Sequence, residues 1–187
     1  MTRFVIITVG KTHSGKTTFA KSLEKRMSNS IVIDQDNHAE FLHAFYPGLL
    51  PKDGQNTIKH DLTQTIVQHA VNKTDGNIIL CNSNRTRNGR LKLLDFYRVN
   101  GFTSILVYFD IPTHILEERI SKSQRSTLIL RTVSTFEEVL TRQENEDKTK
   151  VEQVNTPEKD EADYLFVVRN EIEVQSIMNQ IITITER

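Results

Sequence analysis

The chain has 187 residues, enough for one domain with a sizeable core and too few for two full ones. Its 24 basic residues balance 24 acidic ones, so no global positive field exists to hold duplex DNA or an anionic membrane by charge alone. The single cysteine, Cys81, excludes an internal disulfide and a cysteine-based zinc cluster, and the histidines show no H-E-x-x-H-type spacing, so no structural metal is expected. The N-terminal apolar stretch is too short to span a bilayer and lacks a secretory pattern, which predicts a soluble, cytoplasmic protein.

In chain order, the first predicted element is a strand over Phe4 to Val9, and a helix is predicted over Thr17 to Met27. Between them runs Gly10-Lys11-Thr12-His13-Ser14-Gly15-Lys16-Thr17, followed by Thr18, with the spacing G-x-x-x-x-G-K-T. A strand, a glycine loop and a helix start in this order cradle anionic oxygens. Backbone N–H groups point at the phosphates, Lys16 reaches the outer ones, and the Thr17 hydroxyl is placed to ligate Mg²⁺. Residues 10 to 18 are therefore expected to bind a nucleoside triphosphate.

A second strand, Ile31 to Ile33, ends in Asp34-Gln35-Asp36. Alternation would point both carboxylates to one side. Asp36 is the expected base for an acceptor hydroxyl and Asp34 its support, and both are expected, with Thr17, to help hold Mg²⁺ and its water shell. The competing role for either is to cap a following helix, Asn37 to Tyr46. Phe41 and Phe45 on that helix suit packing on the sheet better than stacking on a ligand ring. After a Pro- and Gly-rich loop, Ile58, Leu62, Ile66 and Ala70 give one apolar face to a helix over Thr57 to Lys73. The stretch 36–76 is the natural place for a helical acceptor-binding insertion. Asn72-Lys73-Thr74-Asp75 spells a guanine-recognition motif, but it precedes the third strand and reads as a helix end, with Gly76 at the C′ position.

The third strand, Ile78 to Cys81, should bury its thiol, and Asn82 follows where a metal-binding carboxylate often stands. Arg85, Arg87 and Arg90, at the start of a helix from Asn88 to Val99, are candidates to grip an anion on the acceptor, against ordinary solvated arginines. A fourth strand, Ser104 to Phe109, precedes a helix ending near Arg119. Arg119, Arg125 and Arg131 fall on a segment, 119–131, that could close as a lid over the triphosphate, with Arg119 and Arg125 acting on the group in transit. Glu144 to Asp163 is highly charged, and its first half suits a solvated helix broken by Thr156-Pro157. The last strand is Tyr164 to Val168.

Alternating strands and helices of this kind build a parallel sheet covered on both faces. With these parts in place, the chain resembles a small phosphate-loop kinase of the polynucleotide kinase-like group, within the AAA-type ATP-binding kinases. The loop matches over Gly10 to Thr17, Asp36 falls where the family has its acceptor-activating aspartate, Ile79 to Asn84 resembles the strand that ends in Asp-Thr-Asn, and Arg119 with Arg125 resembles its lid arginines. The resemblance implies an α/β P-loop NTPase fold spanning 1–187, with five parallel strands in the order 2-3-1-4-5 and helices on both faces. It implies ATP and Mg²⁺ as cofactors, and the segment Arg169-Asn170-Glu171 near the adenine. The expected reaction carries the γ-phosphoryl group of ATP to a hydroxyl of a small molecule or a polynucleotide 5′ end. The group's acceptors include nucleosides, sugar acids, adenylylsulfate and nucleotide sugars. A regulatory nucleotide-binding module, or an ATPase without an acceptor, is the alternative.

Overall fold

A computed structural model describes residues 2–52, 54–150 and 153–186. Five strands form one parallel sheet: β1 (Arg3–Gly10), β2 (Ser30–Ile33), β3 (Asn77–Leu80), β4 (Phe102–Phe109) and β5 (Tyr164–Val168), in the order β2-β3-β1-β4-β5. The helices are α1 (Lys16–Glu24), α2 (Gln35–Phe45), α3 (Thr57–Lys73), α4 (Arg87–Val99), α5 (Thr113–Ser121), α6 (Phe136–Thr149) and α7 (Glu171–Thr185). Short 3₁₀ turns lie at Pro47–Leu49 and Thr127–Ile129.

The strand residues are apolar on both sides because helices cover both sides. Along β1, Phe4 and Ile6 join a core with Phe19, Leu23 and the α7 residues Ile177, Met178 and Ile181. Val5, Ile7 and Val9 face the other way, onto Ala70, Val71, Leu94 and Tyr97 of α3 and α4. This is the period-2 alternation of a strand with two buried faces. A third cluster, Leu116, Ile120, Phe136, Val139 and Leu140, packs α5 on α6 beside the sheet. β1 lies between β3 and β4, in register from Val5↔Ile78 and from Arg3↔Phe102. The carboxyl end of β1 is thus flanked by those of β3 and β4, and ligands of open parallel sheets gather at such a point.

Several local expectations need correction. Helix α2 begins at Gln35, so Asp36 lies in its first turn and not on an extended strand; Asp34 is the N-cap. Phe41 and Phe45 are not packed on the sheet: they are 45% and 69% exposed and contact each other at 5.2 Å between ring centroids. Gly76 is not a left-handed C′ residue. Helix α3 is closed by Thr74, whose hydroxyl donates to the Ala70 carbonyl at 2.7 Å. A side chain at Gly76 would instead meet the Asn29 carbonyl and Ile31 Cδ1 at 3.3 Å, so close approach of the backbone is what requires glycine there. The helix expected from Glu144 is α6, which starts earlier, at Phe136, and ends at Thr149, ahead of Thr156-Pro157; the buried Gln143 precedes the charged run. Helix α7 follows the last strand, where the sequence reading assigns no element.

Candidate functional site

A cleft of about 940 Å³ opens at the carboxyl ends of the strands, and its walls include the phosphate loop, Asp34, Asp36, Asn82, Arg119, Arg125 and Asn170. The loop's shape follows from its two glycines. Gly10 has φ 153°, and a Cβ there would lie 3.0 Å from both Phe109 Cβ and Ser14 Oγ; Gly15 has φ 99°. Gly15 is also the N-cap of α1, and no side chain caps that helix. The helix therefore presents uncapped backbone N–H groups and the positive end of its dipole to the cleft. One loop amide, that of Thr12, is held from behind, donating to Gln143 Oε1 at 2.8 Å.

Lys16 Nζ turns back into the loop, donating to the Lys11 carbonyl at 2.5 Å and to Ser14 Oγ at 3.0 Å. Burial, the main cause, pushes its pKa down to about 8, with Arg125 adding to the shift against the raising effect of Cys81, Asp36 and Asp34. A bound polyphosphate favours the charged form and raises that value again. The sign follows: affinity for ATP is complete below pH 8 and falls as pH rises through it, by up to about tenfold per unit. Titration calorimetry between pH 7 and 9.5 checks this, with net proton uptake on binding near pH 8 to 9.

Thr17 and Thr18 line the cleft at the start of α1. Thr17 Oγ1 donates to Asp34 Oδ2 at 3.3 Å, and the Cys81 thiol donates to Thr17 Oγ1 at 3.4 Å. Burial pushes the Cys81 pKa up to about 11, so it stays a neutral thiol, as a buried cysteine should. Asp34 is 2% exposed, and its other oxygen accepts from the Asp36 backbone N–H at 2.9 Å. It is thus a helix cap and a partner of Thr17 at once. The Thr17 hydroxyl and Asp34 carboxylate are hard oxygen donors beside the phosphate cradle, which fits Mg²⁺, a cation that keeps several waters and takes few protein ligands. Asn82 Oδ1 is used otherwise, accepting from the Gln35 N–H at 3.2 Å.

The structure brings the two expected lid arginines to this cleft. Arg119 donates to the His13 carbonyl at 3.3 Å and pairs with Glu171 at 3.0 Å, which seats it over the loop. Arg125 pairs with Asp36 Oδ2 at 2.5 Å, so this guanidinium rests on the Asp36 carboxylate. Arg131 lies outside the cleft walls and donates to the Pro51 carbonyl. Lys11 contributes only backbone to the cradle; its side chain pairs with Glu144 and Asp147 of α6 at 3.5 and 3.0 Å. Asn170 lines the cleft while its side chain caps α7.

Arg85, Arg87 and Arg90 are not brought to the cleft, and the acceptor-gripping role expected for them is corrected. Arg85 pairs with Glu146 and Asp147 at 2.8 and 2.5 Å and donates to the Gln143 carbonyl at 2.6 Å. Arg87 pairs with Glu158 at 3.4 Å. Arg90 is 0% exposed and forms a two-pronged pair with buried Glu161 at 2.8 and 2.9 Å. Burial alone would raise the Glu161 pKa, but the Arg90 hydrogen bonds and charge outweigh it and hold the carboxyl below its usual range. Its contribution to stability is therefore present above that range and is lost as pH falls through the depressed value. Glu161→Ala leaves the guanidinium buried without its partner, and a loss of about 3–5 kcal/mol is expected, read by urea unfolding.

Sequence reasoning did not single out Gln143, Glu161 or the His13 side chain. Each acts through a partner more than 70 positions away, which no local pattern announces.

The model of the AAA domain family matches residues 5–145, well over half of the chain. No curated protein matches the sequence. Among solved structures, a candidate kinase from Chloroflexus aurantiacus is 17% identical, with a TM-score of 0.66 and 97% of each chain covered. Kti12 from Chaetomium thermophilum, solved in complex with ADP-AlF3, is 15% identical, with a TM-score of 0.63 and 95% of this chain and 96% of that one covered. The APS kinase CysC from Mycobacterium tuberculosis, in complex with AMPPNP and APS, is 15% identical, with a TM-score of 0.56 and 100% and 99% covered. The chain belongs to the AAA domain family and has the fold of small phosphate-loop kinases.

Proposed function

We propose that this AAA-domain protein is an ATP-dependent kinase that passes the γ-phosphoryl group to a hydroxyl of a small molecule or a polynucleotide 5′ end. The observation that carries the reading is the placement of Asp36. A carboxylate stands at the start of α2, in the same cleft as Lys16 and Thr17, with a lid arginine on it at 2.5 Å. A site that only held nucleotide would need neither group.

In this reading the uncapped amides of α1 and the loop hold the phosphates, and Lys16 leaves its internal acceptors for the outer ones. Thr17 and Asp34 would hold Mg²⁺, which supplies charge neutralisation on the phosphate oxygens. Asp36 orients the acceptor hydroxyl and takes its proton as the phosphoryl group arrives. Arg125 holds one oxygen of Asp36, Oδ2, and yielding it to the hydroxyl would free the guanidinium to turn toward the phosphates. Arg119, already over the loop, stabilises charge on the transferring group. Residues 36–76 supply the acceptor wall and 119–131 the lid.

Arg125→Ala tests the lid. A hydrogen bond from a charged donor is worth about 1.5–3 kcal/mol, so the single-turnover rate should fall by about 10–100-fold. ATP affinity should change little. An unchanged rate would remove the lid from the mechanism and favour a binding module.

A further inference from the structure

His13 occupies a backbone conformation that favours glycine, with φ 56° in the middle of the phosphate loop. A non-glycine residue pays for that conformation, and such outliers persist where surrounding contacts over-determine them, often at functional sites. Here the contacts run outward to the lid. His13 Nδ1 lies 3.0 Å from Thr12 Oγ1, and Nε2 lies 3.0 Å from Ser123 Oγ. The same Ser123 hydroxyl oxygen accepts from the Arg125 backbone N–H at 3.1 Å. The imidazole meets the Phe136 ring edge-on at 4.8 Å, and Arg125 sits over that ring at 5.2 Å. Loop histidine and lid arginine thus share one hydroxyl and one aromatic ring.

We propose that His13 is a positioning residue that ties the lid to the phosphate loop through Ser123, and so sets where Arg125 lies relative to the phosphates and to Asp36. The inference rests on reading 119–131 as a lid over bound ATP. With Ser123 Oγ accepting from Arg125 N–H, its own proton is free to donate to Nε2, leaving Nδ1–H to donate to Thr12 Oγ1. One neutral tautomer satisfies every partner. Burial, the largest cause, and the cations Arg125, Lys16 and Arg119 hold the imidazole pKa below 6.5, with Glu137 opposing them. The link is therefore intact above pH 6.5 and weakens as pH falls through the depressed value, when a fourth cation would enter the group and Ser123 would have to turn from donor to acceptor.

Amide hydrogen exchange of the full chain without nucleotide tests this. His13→Gly accepts the left-handed backbone and removes the ring. Exchange over 121–127 should accelerate by about tenfold or more. Ser123→Ala, which leaves the loop sequence untouched, should accelerate the same segment, and the double variant should be no faster than either single one. In the wild type, protection corrected for intrinsic rate should drop as pH falls below 6.5, and in His13→Gly that step should vanish. Wild-type protection in Ser123→Ala, multiplying effects in the double variant, or an equal acid step in both proteins would overturn the proposal. The readout needs no acceptor and no turnover, so a failure of the kinase reading would show separately, as absent transfer with an intact His13 link.

Discussion

Asp36→Asn is expected to slow phosphoryl transfer by about 10²–10⁴-fold, the usual contribution of a positioned general base, with ATP affinity nearly unchanged. The substitution keeps the size of the side chain and removes its basic oxygen. The residue lies in the first turn of α2, and its backbone N–H donates to Asp34 Oδ1 at 2.9 Å whatever its side chain, so the helix start should survive. What changes besides the proton acceptor is the 2.5 Å pair with Arg125, which weakens to a neutral contact. The lid should therefore loosen while the chemistry fails. Single-turnover transfer measured beside calorimetric ATP binding separates the two effects. Asp34→Asn is expected to be milder on the chemical step, since Asp34 serves Thr17 and the helix cap. A wild-type rate in the Asp36 variant would assign the proton to some other acceptor.

Lys16→Ala should lower productive ATP use by about 10²–10³-fold or more, the cost of removing one preorganised donor from developing charge. Lys16 is the side-chain cation that the loop itself encloses, folded onto the Lys11 carbonyl and Ser14 hydroxyl until an anion draws it out. Its loss should leave the core intact, because the loop is shaped by Gly10, Gly15 and the Gln143 contact at Thr12. Turnover and ATP affinity measured on the folded variant check this, and near-normal values would place the nucleotide elsewhere.

The parts of this site that are legible in the sequence are those made by neighbours in the chain. The loop from Gly10 to Thr17 carries its own geometry, and the five apolar runs carry the sheet, because strands buried on both faces cannot afford polar alternation. The parts that are not legible depend on distant partners. Arg90 looks like a surface arginine at a helix start until Glu161, 71 residues on, is brought against it in the core. Gln143 stands just before a highly charged run and carries no local signal, yet it holds the Thr12 amide from 131 positions away. Phe41 and Phe45 have the spacing of a buried pair, but the helix that carries them turns that face away from the sheet. Strand alternation points to Asp36, but it reaches the cleft through the first turn of a helix, two residues after the cap at Asp34. Among the described residues, no helix is long and apolar enough to cross a membrane.

The fate of the γ-phosphoryl group tests the account most directly. The full chain should be given γ-labelled ATP and Mg²⁺ with nucleosides, oligonucleotides, sugars, sugar acids and nucleotide sugars in turn. The account predicts label in a phosphate ester of one hydroxyl acceptor class, formed by the wild type and lost in Asp36→Asn. Label appearing only as inorganic phosphate, or remaining on ATP with every acceptor class, would contradict it.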